Sequence, residues 1–432
     1  MKKFAPLSRI ILAAALTGLS SCAAVPDAYS DEPPSGNEGT AEIVNEPVPF
    51  HTTFSPPKLV DVPSAEDTEK EIQELLRRPI AVLRLTEEEC AKKAAAASTY
   101  GNLFDLELSL VESPKTKKFG KPNCQEERKR QIKRQILDSA ARASRAKSVL
   151  QAMQLFYALA AAETKLEVLR QIVSETDTAI SESEKQRKLG LDTEDTVKGL
   201  RQQRDALFRD GSQLYSGIRT LHAQLALLLD ENLADESQLL WPVVDWNVKF
   251  GSMDLNSSLR GGIAEDSERA LLDFLATGMD ATTLETMEDF LPSIQPLLTL
   301  ASEGPSSPCK FILMLLFPPK PSPRTVETRR AQLLIYRSQK EREIAMRIQQ
   351  AYFDMQAAQR RIAFDKNALQ LGQERLVEIE KQHASKLVPF AAVVQARTAQ
   401  LKLENDMIDR LADWYISRVK LLHEEGRLPG GK

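Results

Sequence analysis

Two long stretches of the chain carry apolar residues at heptad spacing, and each predicts a very long helix. In the second stretch, the residues that lie seven apart are Ile348, Met355, Ile362, Leu369, Leu376 and His383. Such spacing is typical of helices that pack along their length against a neighbour. We predict helical hairpins over about 126–230 and 324–426, each formed by a long helix, a tight turn and a shorter returning helix.

The two predicted hairpins are copies of one unit. Residues 156–166 read FYALAAAETKL, and residues 352–362 read YFDMQAAQRRI, which is an offset of 352 − 156 = 196. The same offset aligns Gly190-Leu191 with Lys386-Leu387. A repeat of this length indicates a duplicated supersecondary unit that buries its apolar faces against its own copy or a neighbour.

A different periodicity precedes each hairpin. Phe104, Leu106, Leu108 and Leu110 alternate with polar residues, which is typical of a half-buried strand. Apolar segments at 292–300 and 311–317 flank a Gly/Pro/Ser-rich loop. We therefore predict two short β-hairpins, over about 103–121 and 292–317, within a fold that is mainly α with a small β part.

The N-terminus has the features of a secretory signal. Three basic residues precede a short apolar run that ends before Cys22. Small residues in front of a cysteine resemble a bacterial lipobox, which implies cleavage before Cys22 and acylation of that residue. An ordinary signal peptide with a chance cysteine is the alternative. Residues 25–63 are rich in Pro, Glu, Asp, Gly and Ser, so they predict a disordered tether.

Charge and cysteine content exclude several functions. Removal of residues 1–21 takes away three basic residues, so 57 − 3 = 54 basic residues face 61 acidic ones and the net charge is −7. Such an acidic balance gives no basis for nucleic acid as a partner. No Cys-x-x-Cys or Cys/His cluster predicts a metal or cofactor site, and no spacing of Ser, His and acidic residues predicts an enzyme.

The predicted organisation is a signal peptide (1–21), a lipid-anchored tether (22–63), a first repeat (64–240) and a second repeat (241–432). A strand pair, a long helix, a turn and a returning helix, all duplicated, resemble the TolC family of outer-membrane channel proteins. Phe290-Leu291-Pro292 resembles the start of a barrel strand in that family, and Gly190-Leu191-Asp192-Thr193 matches its Gly-Leu-x-Ser/Thr turn. The resemblance covers about residues 85–428.

What the resemblance implies is a homotrimer whose strands share one β-barrel in the outer membrane and whose helices form a tunnel in the periplasm. A periplasmic adaptor protein and an inner-membrane transporter complete the pump, with the adaptor docking at the hairpin turns. The matching turn residues are Leu189, Gly190, Leu191, Asp192, Lys386, Leu387, Val388 and Pro389. The family often places acidic residues at a pore constriction, where this chain has Ala392 and Gln395.

Two functions remain open at this point. The first is a lipid-anchored conduit of an efflux or type I secretion-like system, anchored in the outer membrane with its body in the periplasm. The alternative is a lipid-anchored structural coiled-coil protein with a reduced, non-conducting barrel. The short, uneven strands favour the alternative, whereas the hairpin turns and the motifs at the start of the predicted strands favour the conduit. Lys386 stands where the family has glycine.

Overall fold

The computed structural model describes residues 70, 81–112, 124–189, 194–231, 238–248, 250–251, 253–301 and 322–428. All of them belong to one compact unit, Pro63–Lys432. The elements are β1 (Ala81–Leu85), α1 (Glu87–Ala96), α2 (Thr99–Glu112), α3 (Cys124–Lys188), α4 (Glu194–Leu228), β2 (Gln238–Pro242), α5 (Leu255–Glu265), α6 (Ser267–Thr277), α7 (Ala281–Ala301), α8 (Pro323–Ala384) and α9 (Phe390–Glu424).

The two long helical hairpins are confirmed. Helices α3 and α8 have 65 and 62 residues, so α3 is about 97 Å long at 1.5 Å per residue. The repeat is visible in the helix bounds, because α4 and α9 both have 35 residues and their first residues differ by 390 − 194 = 196. The four long helices pack side by side in the order α4, α3, α9, α8. Helices α4 and α8 therefore form the two edges of the layer.

The strand predicted over 103–111 is wrong, because this segment belongs to helix α2. The same leucine-rich sequence also fits a helix that buries Phe104, Leu108 and Val111 against the start of α3. That arrangement leaves Leu106 and Leu110 exposed by 63% and 68%. The apolar residues of this segment fit both the two-residue period of a strand and the spacing of a helix. Packing against α3 favours the helix.

The strand predicted over 292–300 is also wrong. Phe290-Leu291-Pro292 lies inside helix α7, so it does not begin a strand. Leu291 and Ile294 are buried with Met287 in an apolar cluster between α7, α6 and the first turns of α3 and α8. Their spacing of three and four residues is helical, and the predicted strand overlooked it. The rest of both predicted β-hairpins, 113–121 and 302–317, lies outside the described residues.

A short parallel strand pair, which the sequence analysis did not predict, joins the two repeats. Strand β1 pairs with β2 in a register that places Leu83 beside Leu240. Directly after β1, Thr86 caps α1. Its Oγ1 accepts a hydrogen bond from the Glu89 amide, and the Glu89 carboxylate accepts one from the Thr86 amide. The pair thus holds the start of the first repeat against the start of the second.

The main core lies midway along the long helices and contains an aromatic cluster. Tyr157 of α3 stacks on Tyr415 of α9 with ring centroids 4.6 Å apart and an interplanar angle of 13°. Phe156 and Trp414 contact these rings edge-on. The Tyr415 hydroxyl donates to the Asp245 carbonyl at 2.6 Å, which anchors the segment after β2. Stacked aromatic pairs add to the free energy of burying their area, so this cluster holds α3 to α9.

Helix α6 is held against α8 by ion pairs. Lys340 of α8 pairs with Glu268 of α6, and both side chains are buried. Beside them, Arg337 contacts Asp273 at 2.5 Å and Arg269 contacts Glu341 at 3.1 Å. Because a buried charge without its partner is costly, each member of the Lys340–Glu268 pair depends on the other to keep the two helices together.

One buried carboxyl has no such partner. Glu163 of α3 is 5% exposed, and its Oε2 makes no hydrogen bond. Burial raises the pKa of this carboxyl to about 9, so the folded protein holds it protonated at neutral pH. The unfolded chain ionises it from about pH 4.5 upwards. Glu163 therefore lowers the unfolding free energy progressively as the pH rises from about 4.5 to about 9.

We expect Glu163→Gln to increase the unfolding free energy by about 3 kcal/mol at pH 7, because glutamine cannot ionise in the unfolded chain. Near pH 4.5 the substitution should have little effect. Urea unfolding at both pH values, followed by circular dichroism, measures the difference. Glu167→Gln, an exposed position on the same helix, is the control and should change stability by less than about 0.5 kcal/mol. If Glu163→Gln increases the unfolding free energy equally at both pH values, ionisation of Glu163 is not the cause.

Candidate functional site at the hairpin ends

The turn between α8 and α9 closes the second hairpin by a Schellman motif. The Leu387 amide donates to the Gln382 carbonyl at 2.9 Å, and the Lys386 amide donates to the His383 carbonyl at 2.8 Å. Lys386 has φ 60°, the left-handed conformation that this motif requires. In this conformation the Cβ of a lysine lies too close to the backbone, which costs free energy, whereas glycine has no Cβ. The departure from the family's glycine therefore leaves the turn geometry intact at a cost in stability.

His383 has a structural role in this turn. Its Nδ1 lies 3.0 Å from the Val388 carbonyl oxygen, so Nδ1–H is the donor of a hydrogen bond across the turn. The imidazole also packs on the Phe390 ring, with centroids 5.6 Å apart. The side chain is half-buried, bonded to a backbone carbonyl and in contact with an aromatic ring. These contacts explain why a histidine stands at the end of the heptad row.

The hairpin ends expose apolar side chains. Leu387 is 76% exposed at the second turn, and Leu189 is 73% exposed where α3 ends. Val388 is half-buried and Pro389, the N-cap of α9, is exposed. Gly190, Leu191 and Asp192 of the first turn lie outside the described residues. Exposed leucines at the ends of long helices offer apolar contact area to another protein.

The ends of both hairpins are joined to each other. Ala179 and Ile180 of α3, Leu200 of α4 and Val394 of α9 form a small buried cluster, with Phe390 packed against it. This cluster holds the last turns of α3 beside the first turns of α4 and α9. A displacement of one hairpin end therefore disturbs the packing of the other.

Arg397 of α9 adds an electrostatic link between the hairpins. Its Nη2 and Nε lie 2.8 and 3.1 Å from Glu380 Oε1 of α8, and its Nη1 lies 3.8 Å from Glu175 Oε1 of α3. The hydrogen bond to Glu380 raises the pKa of Arg397, with a smaller contribution from Glu175. The sequence analysis missed this residue. Glu380 lies across the same turn, 397 − 380 = 17 residues away, whereas Glu175 belongs to the other hairpin and no sequence signal points to it.

The two predicted constriction positions lie in the first two turns of α9. Ala392 is half-buried and Gln395 is exposed. Neither carries a charge, and the nearby Glu380 carboxylate is engaged by Arg397. This part of the hairpin end therefore presents a neutral surface at the two positions where the family often places acids.

Basic residues that follow the predicted β-hairpins converge on one helix end. Arg128 donates to the Gly278 carbonyl at 3.3 Å and packs over the Phe274 ring. Arg330 donates to the Met279 carbonyl at 2.7 Å. Cations at a helix C-terminus compensate its partial negative charge, so both arginines stabilise the end of α6.

The edge helix α8 carries a row of exposed apolar side chains, here called the α8 stripe. Its members are Ile335, Met346, Phe353, Phe364 and Leu371, exposed by 70%, 61%, 57%, 74% and 65%. They are spaced 11, 7, 11 and 7 residues apart, which places them within about 20° of one line along the helix. Ile344, Ile348, Met355 and Ile362 of the same helix are buried on its opposite side. The α8 stripe therefore points away from the chain's own core.

Other kinds of site are not found in the part of the chain that the structure describes. No group of three potential metal ligands occurs among these residues. None of the described helices combines the length and apolar character needed to cross a bilayer.

We expect Lys386→Gly to increase the unfolding free energy by about 1 kcal/mol, because it removes the steric cost of a left-handed lysine. Lys386→Val should decrease it, since a β-branched residue tolerates positive φ least. Thermal unfolding of the wild type, Lys386→Gly and Lys386→Val measures the order of their stabilities. Lys381→Gly, a substitution within helical backbone, is the control and should be destabilising. If Lys386→Gly destabilises as much as Lys381→Gly, the turn conformation is not the cause.

No protein-family model and no curated protein matches the chain. Solved structures do resemble it. The Campylobacter jejuni CmeC outer membrane channel matches with a TM-score of 0.52 and 10% identity, over 85% of this chain and 86% of CmeC. CusC, described in connection with transmembrane channel formation, matches with a TM-score of 0.50 and 12% identity, over 84% of this chain and 92% of CusC. Both are channel proteins, not enzymes. The chain therefore has the fold of these outer-membrane channels, which is the fold that the resemblance to the TolC family implies.

Proposed function

We propose that the protein is a lipid-anchored, trimeric conduit of the outer membrane, which passes substrates from a periplasmic adaptor and an inner-membrane transporter to the exterior. The system is of the efflux or type I secretion-like kind. The observation that carries the proposal is the duplicated long hairpin, whose four helices form one side-by-side layer in the fold of known channels. A layer of this kind encloses a passage when several copies join at their edges.

The α8 stripe supports self-association. Five apolar side chains in one row expose apolar area on the order of 500 Å² along a single helix, and exposed apolar area of this size often marks a contact with another protein. The heptad row on α8 does not serve this purpose, since Ile348, Met355 and Ile362 are already buried in the chain's own core. The stripe on the opposite side is free to contact a second copy.

The hairpin turns are the proposed docking sites for the adaptor. At these turns lie Leu189, Gly190, Leu191, Asp192, Lys386, Leu387, Val388 and Pro389. The described members among them combine exposed leucines with a rigid turn, which Lys386 and His383 hold by backbone hydrogen bonds. A preorganised apolar surface loses little conformational entropy on binding, which favours its use as a docking site.

The proposed location is the outer membrane, with the lipid on Cys22 and the helical body in the periplasm. The signal-like N-terminus and the small residues before Cys22 support this anchor. CmeC, whose fold the chain shares, is an outer membrane channel.

The alternative function is a structural coiled-coil protein without a pore. It is favoured by one observation: helices α2 and α7 occupy parts of the two segments in which strands are expected. Helix α2 also packs Phe104 on α3, so it is an integrated part of the helical body.

Purified protein should appear as a threefold tube in averaged electron micrographs and should conduct ions in planar bilayers. Because Ala392 and Gln395 are uncharged, we expect little preference for cations and little block by divalent metal ions. Glu378→Gln and Glu380→Gln are the variants that test whether other acids create selectivity. Strong cation selectivity that survives both substitutions would contradict the neutral constriction. A folded trimer that never conducts would favour the structural alternative.

We expect Cys22 to carry the lipid. Cells fed a radioactive fatty acid should label the wild-type chain and leave Cys22→Ser unlabelled. Cys124→Ser, which removes an exposed cysteine from the folded body, is the control and should label normally. Equal labelling of the wild type and Cys22→Ser would show that the anchor lies elsewhere.

A further inference from the structure

One continuous segment of the chain crosses all four long helices. Strand β2 packs on α3 and α4. The chain that follows it, here called the crossing segment (243–254), is held on α9 by the hydrogen bond from the Tyr415 hydroxyl to the Asp245 carbonyl. It then reaches α8, where the Tyr352 hydroxyl donates to the Met253 carbonyl at 3.0 Å. Because the segment contacts one helix after another, β2 and the crossing segment lie on one face of the layer.

This face is the outer one in a tube. On α9, the rings of Trp414 and Tyr415 contact aromatic rings of the crossing segment at centroid distances of 5.3 and 6.0 Å. Lys402 and Lys420 lie on the opposite side of the same helix, where both are exposed. A passage enclosed by the layer has to stay open. The face that carries the crossing segment therefore points away from the passage.

The outer face presents a row of side chains, here called the outer row. Its members on β2 and the crossing segment are Trp241, Val243, Asp245 and Asn247, which are exposed, whereas the residues between them are buried or half-buried. Extended chain points successive side chains to opposite sides, which accounts for this alternation. Strand β1 adds the exposed Arg84, which lies beside Trp241 in the parallel register. The row is up to about 20 Å long, since 247 − 241 = 6 residues rise by roughly 3.3 Å each.

Two pairs of an aromatic ring and an arginine occur along this face. The first is Trp241 with Arg84. The second is Phe250 with Arg418 of α9, both of which contact the ring of Trp414, at 5.3 and 6.0 Å. Trp241 and Phe250 are each 39% exposed. Neither arginine forms an ion pair with a carboxylate among the described residues, so both guanidinium groups are available to a ligand.

The chemistry of the outer row fits an anionic glycan. The flat apolar face of an exposed indole suits the CH groups of a sugar ring. A guanidinium binds a carboxylate through two parallel hydrogen bonds. Asp245 and Asn247 add acceptors and a donor for sugar hydroxyl and amide groups. Repetition of the aromatic–arginine pair suits a polymer whose own units repeat.

The position of the outer row argues against a membrane surface as the ligand. Tyr415 holds the crossing segment and stacks on Tyr157, which is 157 − 124 = 33 residues from the start of α3. At 1.5 Å per residue, the outer row therefore lies about 50 Å from that end of the helix. A ligand that reaches this depth on the outer face surrounds the helical body rather than either of its ends.

We propose that the outer row binds peptidoglycan, the anionic glycan polymer of the cell wall, with Trp241 stacked on a sugar ring and Arg84 paired with a carboxylate of the attached peptides. The proposal rests on the proposed function, since a conduit that joins an inner-membrane transporter to the outer membrane has to pass through the cell wall. The contact fixes the helical body where it crosses the wall.

Cosedimentation with insoluble sacculi tests this contact. The sacculi are boiled in detergent and treated with protease, so peptidoglycan is the only macromolecule that they offer. The purified full-length protein should pellet with them, and Trp241→Ala should reduce the bound fraction at least tenfold. Tyr100→Ala is the matched control, because this aromatic residue of α2 is 38% exposed and lies away from the outer row. It should bind within twofold of the wild type.

Arg84→Glu tests the electrostatic half of the proposal. Arg84 is exposed, so the substitution should leave circular dichroism and thermal unfolding unchanged, and it should reduce the bound fraction at least tenfold. Lys402→Glu makes the same charge change on the opposite face of the layer and should bind normally. Sacculi whose carboxylates have been converted to amides should retain at least tenfold less wild-type protein. Undiminished binding to these amidated sacculi would overturn the pairing of Arg84 with carboxylates.

The remaining outcomes separate this proposal from the proposed function. Wild-type protein that conducts ions in planar bilayers but stays in the supernatant would overturn the peptidoglycan contact, and a protein partner would then be the occupant of the outer row. Protein that pellets but never conducts would support the contact and contradict the conduit. Equal losses for Tyr100→Ala and Trp241→Ala would show nonspecific adsorption and overturn the proposal.

Discussion

The contact between α3 and α9 is the interaction on which the remaining structure depends. It is the one extensive contact between long helices of different repeats, and its centre is the stacked pair of Tyr157 and Tyr415. Without it, each hairpin would be a separate antiparallel pair with one side uncovered. Because α3 lies between α4 and α9, burial along its length is much more complete than along α8. The order of the four helices and the edges of the layer follow from this contact.

Duplication therefore produces two hairpins with the same bounds but different surroundings. Tyr157 is 1% exposed, whereas its equivalent Phe353 is 57% exposed. The difference does not arise from hydrophobicity, since both residues are aromatic. It arises because α9 of the same chain covers Tyr157 on α3, whereas α8 stands at the edge of the layer and Phe353 lies on its uncovered side. An exposed aromatic residue at a position where its repeat equivalent is buried is a physical indication of an assembly contact.

The two ends of the layer are built by different means. At the turns, few apolar side chains are available, and backbone hydrogen bonds, the Arg397 ion pairs and a cluster around Val394 hold the shape. At the opposite end, α2, α6 and α7 bury a larger apolar cluster against the first turns of α3 and α8. The second turn is therefore held by its own backbone hydrogen bonds, and Leu189 and Leu387 remain exposed at the two hairpin ends. The far end is an integrated helical cap.

Sequence periodicity alone determined the long helices and the repeat, because heptad spacing over dozens of residues fits only a long helix. The second turn was also predictable, because a proline follows it. The Thr86 cap is local in the same sense, because its partner Glu89 is three residues away. Periodicity failed at 103–111 and 292–300, where short apolar segments fit a strand or a helix and the choice depends on what they pack against. Contacts such as Glu175 with Arg397, and the strand pair β1–β2, join residues far apart in sequence. Only the tertiary structure decided these, because the relative placement of the hairpins has no local signal.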